Sequence, residues 1–193
     1  MARRSRELEG FMSENVYDIV TIGGGLGGSS LARAMAEKGA RVLVLEREKE
    51  FKDRVRGEAL LPWGVGEARN LGIYDSMLKA RGHEQPWIDI YLGPTQLMHR
   101  DLLTTTPQQA PICSFYHPRM QETLIAAAAG AGAEIRRGAL VTSIRPGAKP
   151  VVSFHFEGQS HDVQARLVAA ADGRGSTARK WAGFSVEHDP PCL

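Results

Sequence analysis

The sequence predicts an α/β protein, and three consecutive segments near its start carry that prediction. Val16–Ile22 is short, β-branched and stopped by glycines, the pattern of a buried strand. Leu26–Lys38 follows, with Leu31, Ala32, Met35 and Ala36 at helical spacing and Gly39 placed to close the helix. Arg41–Leu45 is a second apolar run, so strand, helix and strand fit within about 30 residues. A unit of that length forces its two strands parallel and side by side.

The later elements are read in turn. Glu46–Trp63 lacks periodicity and is rich in charge, so it reads as a long functional loop, and Pro62–Leu71 reads as a helix closed by Gly72. Trp87–Leu92 alternates like a strand until Gly93-Pro94 breaks it. Pro118–Ala129 is the clearest later helix, with proline at its first position and Gly130 at its end. Strands are expected at Glu134–Arg137 and Leu140–Ile144, then a hairpin through Val151–Phe156 and His161–Gln164 turning at Gly158. Arg166–Ala171 reads as a final buried strand running into Asp172-Gly173. No repeat or low-complexity linker interrupts this order.

Composition narrows the function classes. The 193 residues suit one full domain, or one and part of a second. Hydrophobic residues at 42% and charged residues at 24% fit a soluble chain able to bury a core. A net charge of +2 is too small to point to nucleic acid or a membrane surface, and no apolar stretch approaches the roughly 20 residues of a membrane span. Met1–Arg6 is basic, but no apolar h-region follows, and Met12 precedes the first strand closely, so residues 1–15 are expected to be a flexible tail. Cys113 and Cys192 form no CxxC, which fits a reducing, cytoplasmic setting without a disulfide framework or zinc site. The histidines have no metal-ligand spacing, and Ser29 and Ser30 lack the G-x-S-x-G elbow of a hydrolase.

The chemistry concentrates in the first turn. Gly23-Gly24-Gly25-Leu26-Gly27-Gly28 supplies G-x-G-x-x-G at Gly23, Gly25 and Gly28. The first glycine makes the tight turn, the second lets backbone approach a pyrophosphate, and the third allows helix to pack on strand. The helix start offers unpaired N–H groups and a positive dipole end to phosphates. Glu46 closes the second strand, where a carboxylate accepts hydrogen bonds from a ribose. These residues serve NAD as well as FAD.

Three further segments carry a resemblance. Arg54-Val-Arg56-Gly57-Glu58-Ala-Leu-Leu-Pro62 resembles the loop after the second strand in the p-hydroxybenzoate hydroxylase family of FAD-dependent monooxygenases. In that family an arginine of this loop reaches the flavin nucleotide's phosphates; Arg56 matches best and Arg54 second. Arg119 lies in the first turn of the helix begun by Pro118, where a cation opposes the macrodipole by ~0.3–1 kcal/mol unless an anion or water relieves it. The family carries a polar or cationic residue there, against the cofactor's ribose–phosphate region. Asp172-Gly173-Arg174-Gly175-Ser176-Thr177-Ala178-Arg179 resembles the family's DGxxSxxR motif, whose aspartate takes part in binding FAD and NAD(P)H, and Ser176 suits the N-cap of a short helix through Trp181. The strand at Leu140–Val141 resembles the one whose backbone touches the adenine.

The resemblance spans Val16 to Phe184 and implies a Rossmann-like FAD/NAD(P)-binding fold with part of a β-rich substrate domain inserted. On that basis residues 16–74 and 116–193 are expected to form the FAD-binding domain and residues 75–115 the partial substrate domain. The implied cofactor-binding residues are Gly23, Gly25, Leu26, Gly27, Gly28, Glu46, Arg47, Arg54, Arg56, Arg119, Val141, Asp172 and Gly173. The implied activity is NAD(P)H-dependent hydroxylation of a small organic substrate, with FAD as cofactor and NAD(P)H as reductant. The family's later Gly-Asp motif is not found, so the chain is expected to be truncated, to bind FAD or ADP weakly and to turn over no substrate. No side chain is identified as a catalytic acid or base, and no metal is expected. A flavin-dependent halogenase, a geranylgeranyl-type reductase and an inactive nucleotide-binding module share the scaffold, although the halogenase motif WxWxIP is absent.

Overall fold

The computed structural model describes residues 16–53 and 58–187, and the chain divides into two compact units, Met1–Glu50 with Ala129–Leu193 and Phe51–Ala128. In the first unit β1 (Val16–Ile22), α1 (Leu26–Ala36) and β2 (Val42–Glu46) form the expected βαβ unit. Ile19 to Ile22 run parallel to Val42 to Leu45. Every β2 residue is buried, as expected of a strand covered on both faces.

The second unit opens with β3 (Ala59–Leu60), α2 (Pro62–Asn70), α3 (Tyr74–Lys79) and β4 (His83–Gln85). It continues with β5 (Trp87–Leu92), β6 (Thr95–Asp101), α4 (Leu102–Thr105), β7 (Ile112–Ser114) and α5 (His117–Gly130). Strands β3, β7 and β4 make a three-stranded antiparallel sheet, while β5 and β6 form a separate hairpin. The unit's buried side chains include Val65, Met77, Leu102, Phe115, Met120 and Leu124. Cys113 is a buried free thiol, which burial and then the Glu84 charge push up from the ordinary thiol range.

The compact units divide at other points than the segments expected from the sequence. Residues 51–74 and most of α5 fall with the inserted strands, not with the βαβ unit. The physical reason for the first part is packing: α2 lies on β3, β7 and α3. The expected loop 46–63 also contains β3, because Ala59 and Leu60 pair with Ser114 and Cys113.

Back in the first unit the chain forms β8 (Glu134–Arg137), β9 (Leu140–Arg145), β10 (Val151–Phe156), β11 (Gln159–Ala170) and α6 (Thr177–Trp181). The six-stranded sheet runs β8-β2-β1-β11-β10-β9, with β8, β2, β1 and β11 parallel and β10 and β9 antiparallel to their neighbours. Two strands expected at 161–164 and 166–171 are one strand. No glycine or proline breaks Gln159–Ala170, and Gln164 pairs with Val151 on one side and Val16 on the other. This strand therefore joins an antiparallel meander to a parallel sheet. Val20, Ile22, Leu43 and Leu45 share one core with Val141, Val152, Phe154 and Ala165. Thr21 faces the other way, toward α1. Among the described residues no helix is long and apolar enough to cross a membrane.

Candidate functional site

The site is built at the carboxyl ends of β1, β2 and β11. Gly23 ends β1 with φ +101°, a conformation that glycine adopts without penalty. Its N–H donates to the Leu45 carbonyl at 2.9 Å, and the Ala171 N–H donates to the Ile22 carbonyl at 2.8 Å. A Cβ on Gly23 would lie 2.4 Å from the Ala171 carbonyl oxygen, so the glycine turn and the segment entering Asp172 touch backbone to backbone. A Cβ on Gly28 would lie 2.0 Å from the Gly23 oxygen and 3.1 Å from Thr21 Cγ2. Gly28 is therefore what lets α1 close onto β1, the role its place in the fingerprint predicts.

Between these two contacts the first turn of α1 is open. Gly25 is the N-cap in extended conformation, with no side-chain cap and no acidic residue in the first turn. Gly27 is exposed, a Cβ placed on it would meet no atom within 4 Å, and Leu26 is half-buried. Helix N–H groups without an acceptor, at a positive dipole end and beside glycine, suit an anion such as a pyrophosphate. Ser29 and Ser30 do not compete for that anion. Their hydroxyls donate to the carbonyls of Gly24 and Leu26 at 2.8 and 2.6 Å.

Glu46 is buried and both carboxylate oxygens are engaged. Oε2 accepts from the Gly24 N–H at 2.6 Å and Oε1 from the Glu48 N–H at 2.8 Å. Each carboxylate oxygen can accept about two hydrogen bonds, so acceptor capacity remains for a ribose. Arg47, next in sequence, is exposed and pairs with Glu48 at 3.4 Å, a surface contact.

Asp172 has a structural task. Its Oδ2 accepts from the N–H groups of Thr177 and Ala178 at 2.8 and 3.0 Å, while Ser176 Oγ accepts from the Arg179 N–H at 3.1 Å. Burial works to raise the Asp172 carboxyl, but the bonds from Ser176, Ala178 and Thr177 outweigh it and hold it below the usual carboxylate range. The DGxxSxxR pattern thus shapes a turn, through Gly173 at φ +90°, and caps α6 twice.

Val141 turns its side chain into the core, from β9, the edge strand of the sheet. Arg119 is an exposed residue in the first turn of α5, in the second unit. Arg54 and Arg56 lie outside the described residues. The structure brings together Gly23, Gly28 and Glu46 and sets Asp172 beside them through Ala171. Two participants escape a reading of the sequence: the buried Gly24 N–H that fixes Glu46, and the Ala171 carbonyl against Gly23. The only sequence signal for Gly24 is the carboxylate 22 residues on. Among the described residues, no cluster of three or more histidine, cysteine or acidic side chains could hold a metal.

Comparison with known proteins agrees with this geometry. Residues 16–191 match the family described as FAD binding domain. The chain is 29% identical over 180 residues to rifampicin monooxygenase of Streptomyces venezuelae, covering 91% of the chain and 36% of the relative. It is 30% identical over 172 residues to digeranylgeranylglycerophospholipid reductase of Thermoplasma volcanium, covering 87% of the chain and 42% of that relative. Among solved structures it superposes on OxyS anhydrotetracycline hydroxylase from Streptomyces rimosus with a TM-score of 0.76 and 26% identity, covering 91% of the chain and 36% of that protein. The chain thus spans well under half the length of the relatives it matches.

Proposed function

Because the chain belongs to the FAD-binding domain family of the FAD-dependent monooxygenases, we propose that it holds the ADP side of FAD in an NAD(P)H-dependent enzyme that hydroxylates a small organic substrate. The observation that carries the reading is the open first turn of α1, bounded by two glycines at which a Cβ would lie 2.4 and 2.0 Å from backbone oxygens, and faced by an anchored glutamate. When bound, the flavin supplies the redox chemistry and the activation of oxygen.

The chain's own residues bind and orient. The N–H groups at the start of α1, around Leu26 and Gly27, receive the pyrophosphate; Gly25 lets it approach; Glu46 accepts from the adenosine ribose. Gly173 and Asp172 shape the adjoining turn. Arg47, Arg54, Arg56, Arg119 and Val141 complete the proposed cofactor set on the strength of the family pattern. A cytoplasmic location belongs to the same proposal, supported by the sparse cysteines, two in 193 residues and not in a CxxC.

A second reading, prenyl-chain reduction on the same scaffold, is favoured by the similarity to the archaeal reductase. The two share FAD and differ in what the reduced cofactor meets.

Titration of the purified chain with FAD, ADP and adenosine, followed by flavin fluorescence and calorimetry, tests the proposal. FAD and ADP should bind, and Arg56→Ala should weaken both more than adenosine. Absence of any adenine-nucleotide binding at millimolar concentration would reject the reading, and equal losses for all three ligands would reject the role of Arg56.

A further inference from the structure

Two buried serines follow the glycine turn, and they hold different kinds of carbonyl. Ser30 donates to the Leu26 carbonyl at 2.6 Å, inside α1, where that carbonyl already belongs to the helix ladder. Ser29 donates to the Gly24 carbonyl at 2.8 Å, five residues back and outside the helix. The ladder begins at Gly25, whose carbonyl accepts from the Ser29 N–H at 2.9 Å, and among the described residues it does not reach back to Gly24. Ser29 therefore holds two successive carbonyls, one with its backbone and one with its side chain.

The Gly24 carbonyl shares one peptide with the Gly25 N–H. In a trans peptide these two groups point in opposite directions. With the carbonyl turned onto Ser29, the Gly25 N–H is turned away from it. A peptide between two glycines has no Cβ on either side to resist rotation, and its rotation would put a carbonyl oxygen where the N–H stood. The other side of Gly24 is fixed separately, since its own N–H donates to Glu46 Oε2 at 2.6 Å. Gly24 is thus clamped at both ends, by Glu46 from β2 and by Ser29 from α1. Packing alone does not account for the hydroxyl. Ser29 is 0% exposed, and at such a helix position alanine has the higher propensity and no polar group to satisfy.

We propose that Ser29 is a positioning residue for the cofactor's pyrophosphate: its hydroxyl holds the Gly24–Gly25 peptide with the N–H toward the anion and the carbonyl away from it. Ser29 itself touches no ligand. It acts through the backbone, so it favours the phosphates of a ligand and is indifferent to the nucleoside. The inference rests on the reading that FAD binds at this turn, and it adds the side chain that sets the turn's polarity.

The test uses the full chain, isotope-labelled for NMR, with ADP, adenosine and inorganic pyrophosphate as probes. In wild type the Gly25 amide resonance should move on adding ADP or pyrophosphate and move little with adenosine. Ser29→Ala should weaken ADP and FAD about tenfold, the size of one hydrogen bond to a charged acceptor, while adenosine affinity stays within about twofold. Ser29→Cys keeps the shape of the side chain but donates weakly, so it should behave as alanine does. Ser30→Ala should match wild type. In the ligand-free Ser29→Ala chain the Gly25 amide should broaden or split as its peptide samples both orientations, with the rest of the spectrum unchanged. A merely structural role would lower ADP and adenosine affinities alike, or move only the denaturation midpoint. Undiminished ADP affinity in both Ser29 variants, or equal losses for ADP and adenosine, overturns the inference alone. Failure of wild type to bind ADP or FAD rejects the FAD reading and the inference with it.

Discussion

At the glycine turn almost every constraint is imposed by backbone: Gly23 against the Ala171 carbonyl, Gly28 against the Gly23 carbonyl, and the Gly24 N–H on Glu46. On the β5–β6 hairpin the constraints lie between side chains, Asp89 with His99 and Gln96, and Trp87 with His99. The first region is embedded in a six-stranded sheet in which β2 is wholly and β1 largely buried; the second is two strands with exposed side chains on both faces. A backbone-defined site can receive a ligand through groups common to all residues, so its sequence signature is the absence of side chains. A side-chain-defined cluster leaves a signature only in which residues face each other across the turn. The two regions should consequently respond to substitution on different scales.

The largest effect is expected from Gly28→Val. A branched side chain placed 2.0 Å from a backbone oxygen cannot be relieved by a rotamer, so α1 must lift from β1. A loss of about 3 kcal/mol is expected in urea denaturation, at the upper end for overpacking. Gly27→Ala provides the contrast one residue away. Its Cβ meets nothing, and alanine in a helix is favoured over glycine by roughly 0.5–1 kcal/mol. The protein should become slightly more stable while binding FAD more weakly, because the open space is the proposed seat of the pyrophosphate. Equal losses of stability at both positions would show that the turn is not held as described.

Glu46 gives an intermediate effect. Glu46→Ala leaves the buried Gly24 N–H without its acceptor, a cost of about 1–3 kcal/mol. Glu46→Gln keeps one acceptor oxygen and should recover part of that loss in the same denaturation measurement. If alanine and glutamine prove equivalent, the anchoring of Glu46 contributes nothing and its role is confined to ligand.

How much of this is legible in advance follows from the same contrast. The βαβ unit is legible because buried strand, glycines and helical spacing occur within one local stretch. Ser176 as the cap of α6 is legible for the same reason. The Ala171 contact is not, since a carbonyl oxygen is present at every residue and only the tertiary pairing of β1 with β11 selects this one. Strand β11 reads as two because its burial pattern changes where its partner changes from β10 to β1. Strands β4 and β6 offer no alternation to read, as their side chains are exposed or nearly so on both faces. The Asp89–His99 pair escapes a search for ligand spacing because its members are ten residues apart and meet only across the hairpin.

The smallest effect is expected at the apolar tip of that hairpin. Leu92 is 71% exposed and Leu97 60% exposed, so replacing either by serine removes little buried surface. A change within about 0.5 kcal/mol is expected for each, as for most surface positions. The pairing of β5 and β6 shifts register between Ile90 and Tyr91; Gly93 at φ +58° holds the turn on one side of the shift, and the pairs around Asp89 and His99 lie on the other. Leu92→Ser or Leu97→Ser should accordingly leave the stacked Trp87–His99 pair, and the tryptophan fluorescence it perturbs, unchanged. A loss above about 1 kcal/mol at either leucine would mean that the tip is buried in solution, and would erase the contrast between a buried backbone site and an exposed side-chain cluster.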